Sequence, residues 1–421
     1  MKPIRPSPPL RRSTLVVGQG GGPTAVVNAS LAGVVDEALR HPTIDGIYGM
    51  RYGLRGLLRE DLVDLRRESP ATLAQLRVTP SAALGSSRHV LTGQECERVI
   101  AVLRAHQVRY FLFIGGNGSA GAALQIGSGA AAAGFDLQVV CIPKTVDNDV
   151  VGTDHTPGYP SVARWLAIAV RDAGLDSAAI GQVDAVKVIE TMGRDAGWIA
   201  ASTAAARERE GDAPHLIYLP ERPVAQARFL ADVERVHRTH GHVVVVVAEG
   251  VKDERGEYLA ASRRPVDLDP AGQPQLGGAA SVLAALIATN LGLKARVDKP
   301  GTIQRVAGML ASPVDIDEAY RVGVAAVQYA LAGERDAMVT LLREPGPDYR
   351  TRTGLVPLAE VVRATRPVPD AFIAETGNDL TSAFLDYVRP LIGGPLPPYA
   401  RLAAVQVARR LPLVQDTHPR D

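Results

Sequence analysis

Cysteine is almost missing from this chain: Cys96 and Cys141 are the only two among 421 residues. Two thiols build neither a disulfide framework nor a four-cysteine zinc site. A charge excess is missing too. The 46 basic and 45 acidic residues leave a formal charge of +1, which argues against a general nucleic-acid coat or a polybasic membrane anchor. Long apolar runs are absent. The longest of interest, 243–248, has six residues, whereas a membrane span needs about 20. The opening MKPIRPSPPLRR is basic and proline-rich but lacks the apolar region of a secretory signal. Residues 1–12 read as a flexible arm and the protein as cytoplasmic, with neither nucleic acid nor membrane as partner. Aromatics are scarce at 5%, while 41 glycines and 30 prolines point to tight turns and close backbone approaches. With 46% hydrophobic and 22% charged residues the composition is that of a soluble globular protein. The length suits two or three domains.

From residue 14 onward, short apolar runs alternate with helical patterns. Strands are expected at 14–17, 109–114, 137–142, 186–190, 216–219 and 243–248. Helices are expected at 24–40, from about 117 to 133, at 159–173, from Asp195, at 224–238, at 277–291 and at 315–332. The all-valine run ending in Ala248 predicts a central strand buried on both faces. Alternation of this kind implies an α/β fold with mainly parallel, doubly wound sheets. Ligands then bind beyond the carboxyl ends of the strands, where the polar clusters of this chain fall. After Arg366 proline density rises, and an extended or partly helical tail is expected.

Two strand-to-helix turns are glycine-rich: GQGGGP at 18–23 and GGNGS at 115–119. Free N–H groups at such a helix start bind phosphate. Neither is a Walker A loop or a clean dinucleotide fingerprint. A tight turn without a ligand explains one such loop equally well; two in one chain favour a phosphorylated ligand. The loop PKTVDND at 143–149 offers Asp147 and Asp149, two residues apart after a buried strand. One could accept a proton from an attacking hydroxyl, the other could orient a metal or an arginine, and Lys144 could balance phosphate charge. An Asx-rich turn is the bland alternative. Arg194 beside Gly193, Glu249 at a strand end, and Arg296 and Arg305 around Pro300-Gly301-Thr302 add groups suited to phosphate and sugar recognition. Taken singly, each is more often a surface pair or a cap. His237, His240 and His242 read as helix-end capping residues, and Cys141 as an inert core thiol.

In order, GGPTAVVNAS (21–30), GSSR (85–88), GGNGS (115–119), PKTVDND (143–149), TPGYPS (156–161), ETMGRDAGW (190–198), AEG (248–250) and KARVDKPGTIQR (294–305) resemble the site motifs of the phosphofructokinase family, over about residues 14–310. The wording is nearest to its diphosphate-using branch. The resemblance implies two doubly wound α/β domains with the active site in the cleft between them. The donor domain would span 13–150 with about 304–365, the sugar-phosphate domain 151–303, and 366–421 would form a C-terminal extension. It implies Mg²⁺-assisted phosphoryl transfer from ATP or diphosphate to the 1-hydroxyl of fructose 6-phosphate. Asp147 would be the base, with Thr145, Arg88 and Lys144 as catalytic partners. Gly21, Gly22, Gly116, Asn117, Gly118 and Ser119 would bind the donor, with Asn117 a weak Mg²⁺ ligand. Asp149, Met192, Gly193, Arg194, Glu249, Arg296 and Arg305 would bind the sugar phosphate. Some phosphate-binding arginines of the family come from a neighbouring subunit, which implies a homodimer or homotetramer.

Three departures from the family patterns fall at four positions. Diphosphate users pair the lysine at 144 with an aspartate where this chain has Gly118, and the open glycine gives a slight lean to ATP. Asn117 replaces an aspartate that serves Mg²⁺ in ATP users. Ala185 and Thr302 stand where ATP-using bacterial members carry an arginine and a histidine for the sugar phosphate, so another acceptor such as sedoheptulose 7-phosphate is an alternative. A catalytically silent sugar-phosphate-binding subunit is the reading from another class; the intact Asp147, Arg88 and Arg194 oppose it.

Overall fold

The computed structural model describes residues 13–261, 275–403 and 405–411; the arm expected over 1–12 and the last ten residues lie outside them. The first leg of the chain runs β1 (Ser13–Gln19), α1 (Val27–Ala38), β2 (Ile44–Met50), α2 (Leu54–Leu58), β3 (Leu62–Asp64), α3 (Pro70–Leu76), α4 (Gly93–Ala105), β4 (Val108–Gly115), α5 (Asn117–Ala132) and β5 (Gln138–Pro143). The second leg is α6 (Tyr159–Ile180), β6 (Val186–Thr191), α7 (Trp198–Ser202), β7 (Leu216–Tyr218), α8 (Gln226–His240), β8 (Val243–Ala248), α9 (Ala279–Leu291) and β9 (Ala295–Asp298). The chain then passes α10 (Ile303–Val306) and α11 (Pro313–Leu331) into the hairpin β10 (Ala337–Arg343) and β11 (Thr351–Pro357), and ends with α12 (Leu358–Arg363) and α13 (Ser382–Leu391).

The strands form two sheets. A seven-stranded sheet has the order β11-β10-β5-β4-β1-β2-β3. It is parallel except at its edges, where β11 and β3 run antiparallel to their neighbours. A four-stranded, all-parallel sheet has the order β7-β8-β6-β9. The fold is therefore α/β with mainly parallel sheets, as the alternation implies. β8 is buried throughout and lies between β7 and β6, as its valine run requires.

Both faces of the large sheet are covered. On one, α1 and α11 cross so closely that a Cβ on Gly33 would lie 2.2 Å from the Tyr320 carbonyl oxygen, and one on Gly323 2.1 Å from that of Ser30. Glycine at both positions lets the helices pack backbone to backbone. On the other face, α4 and α5 bury Val99, Leu103, Ala123 and Ile126 together with Cys96 and Cys141. Burial pushes the Cys141 thiol far above its ordinary range, in keeping with an inert core group.

Local corrections to the expected elements have physical causes. The helix expected from Asp195 is confined to Trp198–Ser202, because Gly193 at φ +130° first turns the chain back against the Ala196 carbonyl. The helix expected at 24–40 starts at Val27. The one expected at 224–238 runs on to His240 and stops at the left-handed Gly241, φ +75°, with His237 and His240 in its last turn.

The C-terminal stretch is built into the core of the small-sheet body. Val368, Ile373, Phe384, Tyr387, Val388 and Leu391 join its apolar cluster. There the few aromatics collect: Tyr159, Phe372, Phe384 and Tyr387 surround Trp198 with ring centroids 5.4–6.5 Å away. Among the described residues no helix is long and apolar enough to cross a membrane.

Candidate active site

The carboxyl ends of the strands of both sheets point their loops at one another. From the large sheet come the loops after β1, β4 and β5; from the small sheet come those after β6 and β8.

The loop after β1 carries Gly21 and Gly22. Gly21 has φ +76°, and a Cβ there would lie 3.0 Å from Lys144 Nζ; a Cβ on Gly22 would lie 2.8 Å from an Arg305 guanidinium nitrogen. The two glycines thus lie against two cations, and Lys144 Nζ donates to the Gly22 carbonyl at 3.0 Å. The loop after β4 is tied to the first. A Cβ on Gly115 would meet Ser119 Oγ at 2.1 Å and one on Gly20 would meet it at 2.5 Å, so the serine hydroxyl fills the space between the two turns. Gly116 precedes α5 and lies against the Lys144 carbonyl and Thr145. A Cβ on Gly118 meets nothing within 4 Å, so this position opens to free space and has no steric need for glycine.

Lys144 opens the loop after β5. Burial, aided by the Arg305 and Arg88 charges and opposed by Asp147 and Asp149, draws its ammonium down to about 8. Thr145 Oγ1 accepts from the Asp147 N–H at 3.1 Å and donates to the Asp147 carboxylate at 3.4 Å. Burial raises the Asp147 carboxyl above its ordinary range, while Lys144, the Thr145 hydrogen bond and Arg88 pull it back. Asp149 is pushed up to about 7 by burial and then by the Asp147 charge, and accepts from Asn117 Nδ2 at 3.0 Å. The opposite end of that amide, Asn117 Oδ1, is buried without a hydrogen-bond partner.

From the small sheet, Thr191 ends β6 and Met192, Gly193 and Arg194 follow. The Gly250 N–H donates to the Gly193 carbonyl at 3.1 Å, and the Glu249 N–H to that of Thr191 at 2.9 Å. A Cβ on Gly250 would lie 1.8 Å from the Arg194 carbonyl oxygen, which locks the two loops together. Glu249 is pushed up to about 7, first by burial and then by the charge of Asp147, so the two carboxylates, one from each body, lie close enough to repel. The Met192 N–H donates to Gln304 Oε1 at 3.2 Å, and Gln304 adjoins Arg305 on α10. Burial lowers the Arg305 guanidinium from its ordinary range.

Of the expected site residues, Arg296 alone is held elsewhere. It lies on β9 opposite Lys187, near the start of β6, and its Nε donates to Asp184 at 3.0 Å with the side chain 57% exposed. The active-site loops leave the other end of that sheet, so within one chain Arg296 does not reach them. Ala185 lies at the same far end, beside Asp184.

Several participants were not singled out from sequence. The charge of Asp195 acts on both Asp147 and Asp149. Buried Glu190 accepts from the Gly278 and Ala280 N–H groups at 2.8 and 3.0 Å and from Lys299 Nζ at 2.9 Å, and so anchors the start of α9. Asp195, Gln304 and Glu190 fall inside motifs already quoted. Arg366 and Tyr387, which contact the Asp147 loop, fall in none.

A buried carboxylate, two glycine loops and several cations around one cleft suit phosphoryl transfer. The family model for phosphofructokinase matches residues 14–330. The chain belongs to the phosphofructokinase family. It is a phosphotransferase of the phosphofructokinase type, with its similarities on the diphosphate-type branch. It is 40% identical over 407 residues to a pyrophosphate–fructose 6-phosphate 1-phosphotransferase of Rhodospirillum rubrum, covering 95% of this chain and 99% of that one. It is also 40% identical to the protein of that name in Xanthomonas campestris, covering 96% and 99%. Among solved structures, a pyrophosphate-dependent phosphofructokinase of Nitrosospira multiformis superposes with a TM-score of 0.83 at 37% identity, covering 95% of this chain and 98% of that one.

Proposed function

We propose that this protein transfers a phosphoryl group from diphosphate to the 1-hydroxyl of fructose 6-phosphate, releasing phosphate and fructose 1,6-bisphosphate. The observation that carries this reading is the buried Asp147 carboxylate with Lys144 and Arg88 on its large-sheet side and Glu249 on its small-sheet side. Asp147 takes the proton of the 1-hydroxyl as that oxygen attacks the near phosphorus of diphosphate, and the far phosphate leaves. Lys144, Arg88 and the N–H groups of the loops at Gly21, Gly22 and Gly116–Ser119 balance the charge on the donor. Met192, Gly193, Arg194 and Glu249 hold the sugar, and Arg305 its 6-phosphate. The large-sheet body, 13–150 with about 304–365, is the donor side in this reading, and 151–303 the sugar side.

The relatives named for pyrophosphate support diphosphate as donor. The lean to ATP drawn from Gly118 finds no support among them. Mg²⁺ fits the residues present: Asp149 and the unpartnered Asn117 Oδ1 are hard oxygen donors. Mg²⁺ is usually held by one or two carboxylates together with substrate phosphates; here it would neutralise charge on the donor. Arg296 can serve a 6-phosphate only across a subunit boundary, so the reading includes a homodimer or homotetramer. The exposed Val183 and Val297, next in sequence to Asp184 and Arg296, suit such a contact.

The test is turnover of purified protein with fructose 6-phosphate and Mg²⁺, given diphosphate or ATP in parallel. Diphosphate-dependent formation of the bisphosphate is expected. Turnover with ATP alone would overturn the donor assignment, and silence with both donors would overturn the acceptor.

A further inference from the structure

Asp147 and Asp149 flank Asn148, and it is Asn148 that the protein grips hardest. Its backbone is left-handed, φ +56°, a conformation that costs a non-glycine residue energy and persists where its surroundings impose it. Its side chain is fully buried and used at both ends. Nδ2 donates to the Tyr387 hydroxyl at 2.9 Å, and Oδ1 accepts from the Thr156 N–H at 3.0 Å. Its carbonyl accepts from Arg366 Nε at 3.1 Å and from a terminal guanidinium nitrogen at 3.0 Å. The other terminal nitrogen reaches the carbonyls of Thr153 and Asp154. The Arg366 N–H donates to the Asp149 carbonyl at 2.8 Å, and the Tyr387 hydroxyl donates to the Asp154 carbonyl at 2.9 Å.

By contrast, the Asp147 carboxylate is held by little more than the 3.4 Å hydrogen bond from Thr145. Its direction is set by the backbone that follows it. We propose that Arg366 and Tyr387 are positioning residues that hold Asn148 in its left-handed turn and thereby aim Asp147 at the acceptor hydroxyl. The same guanidinium stacks on Trp198, 4.4 Å from the ring, and the Trp198 indole donates to the Arg366 carbonyl at 2.9 Å. Trp198 closes the ETMGRDAGW stretch of the sugar side. Arg366 thus ties the loop of the base to the loops that hold the sugar, and fixes one against the other.

This inference rests on Asp147 being the base, and the experiment separates the two. Tyr387→Phe keeps the ring in its aromatic cluster and removes only the hydroxyl. Arg366→Lys keeps a charge that can satisfy one carbonyl in place of several. Each is made alone and in an Asp147→Asn background, and steady-state kinetics are measured with fructose 6-phosphate and diphosphate. Misplacing a catalytic group by about an ångström costs up to roughly 10²-fold. Tyr387→Phe is therefore expected to lower kcat by about tenfold while KM for both substrates stays within about twofold, since binding groups are untouched. In the Asp147→Asn background it is expected to cost nothing further, because a positioning residue acts only through the group it positions. An equal loss in both backgrounds, a rise in KM alone, or an unchanged kcat overturns the proposal. Wild-type turnover of Asp147→Asn itself overturns the base assignment and the proposal with it. Should Arg366→Lys fail to fold, Tyr387→Phe alone decides.

Discussion

At Asp147, the proposed base, two demands compete. A general base must be ionised, yet burial raises its pKa; Lys144 and Arg88 restore part of the balance. Replacing Asp147 by Asn is expected to lower kcat by about 10²-fold or more with a smaller change in KM, measured in the diphosphate assay. The neighbours determine the pH profile. Asp149 and Glu249, both pushed up to about 7, gain protons as pH falls through that value. Lys144, drawn down to about 8, loses its charge as pH rises through it. Both changes remove charges the site uses, so kcat/KM for diphosphate is expected to be bell-shaped with limbs near these values. Lys144→Arg, whose charge cannot be titrated away, should abolish the alkaline limb. Gly118 gives a further test. Its position opens to free space in the first turn of α5, where a carboxylate favours the helix. Gly118→Asp should fold normally, keep diphosphate turnover and lower any residual turnover with ATP, read in parallel assays.

Among elements, the loop from 143 to 158 owes its shape to partners far along the chain. Buried His155 bridges Asp154 at 3.0 Å and Glu318 of α11 at 2.7 Å. Burial opposes its charge, but the two carboxylates outweigh burial and push it up to about 9. A folded-state pKa above the unfolded 6.5 stabilises the protein fully below that value. The contribution is lost as pH rises through about 9, an amount on the order of 3 kcal/mol. Denaturant midpoints of the wild type should fall between these limits, and those of His155→Gln should be lower at pH 6 and flatter. Such long-range partners explain what sequence could and could not reveal. β1, β4, β5, β6 and β8 were legible because strands buried on both faces read as continuous apolar runs. β2 is broken by Asp45 and Gly46, β3 has three residues, and β9 is largely exposed; their pairing depends on neighbours rather than on a pattern of their own. The site was legible where one loop holds its residues together, as at Lys144–Asp149. The brace on Asn148 was not, because its hydrogen-bond partners lie 218 and 239 positions away.

In the whole molecule, the chain builds most of the large sheet, moves to the small one, returns for β10 and β11, and goes back to the small-sheet body with α13. Three crossings and a shared cleft favour unfolding as one unit, and denaturant curves followed by circular dichroism and by tryptophan fluorescence should coincide. The stretch after Arg366 belongs to that unit. Phe384 is fully buried against Trp198, so Phe384→Ala should cost about 3–5 kcal/mol of stability; a loose tail would lose almost nothing. The location of Arg366 and Tyr387 also has a consequence in time. Synthesis proceeds from the amino terminus, so both sheets leave the ribosome before the residues that grip Asn148. A nascent chain can carry Asp147, its glycine loops and Glu249, and still lack the brace on Asn148 until α13 emerges.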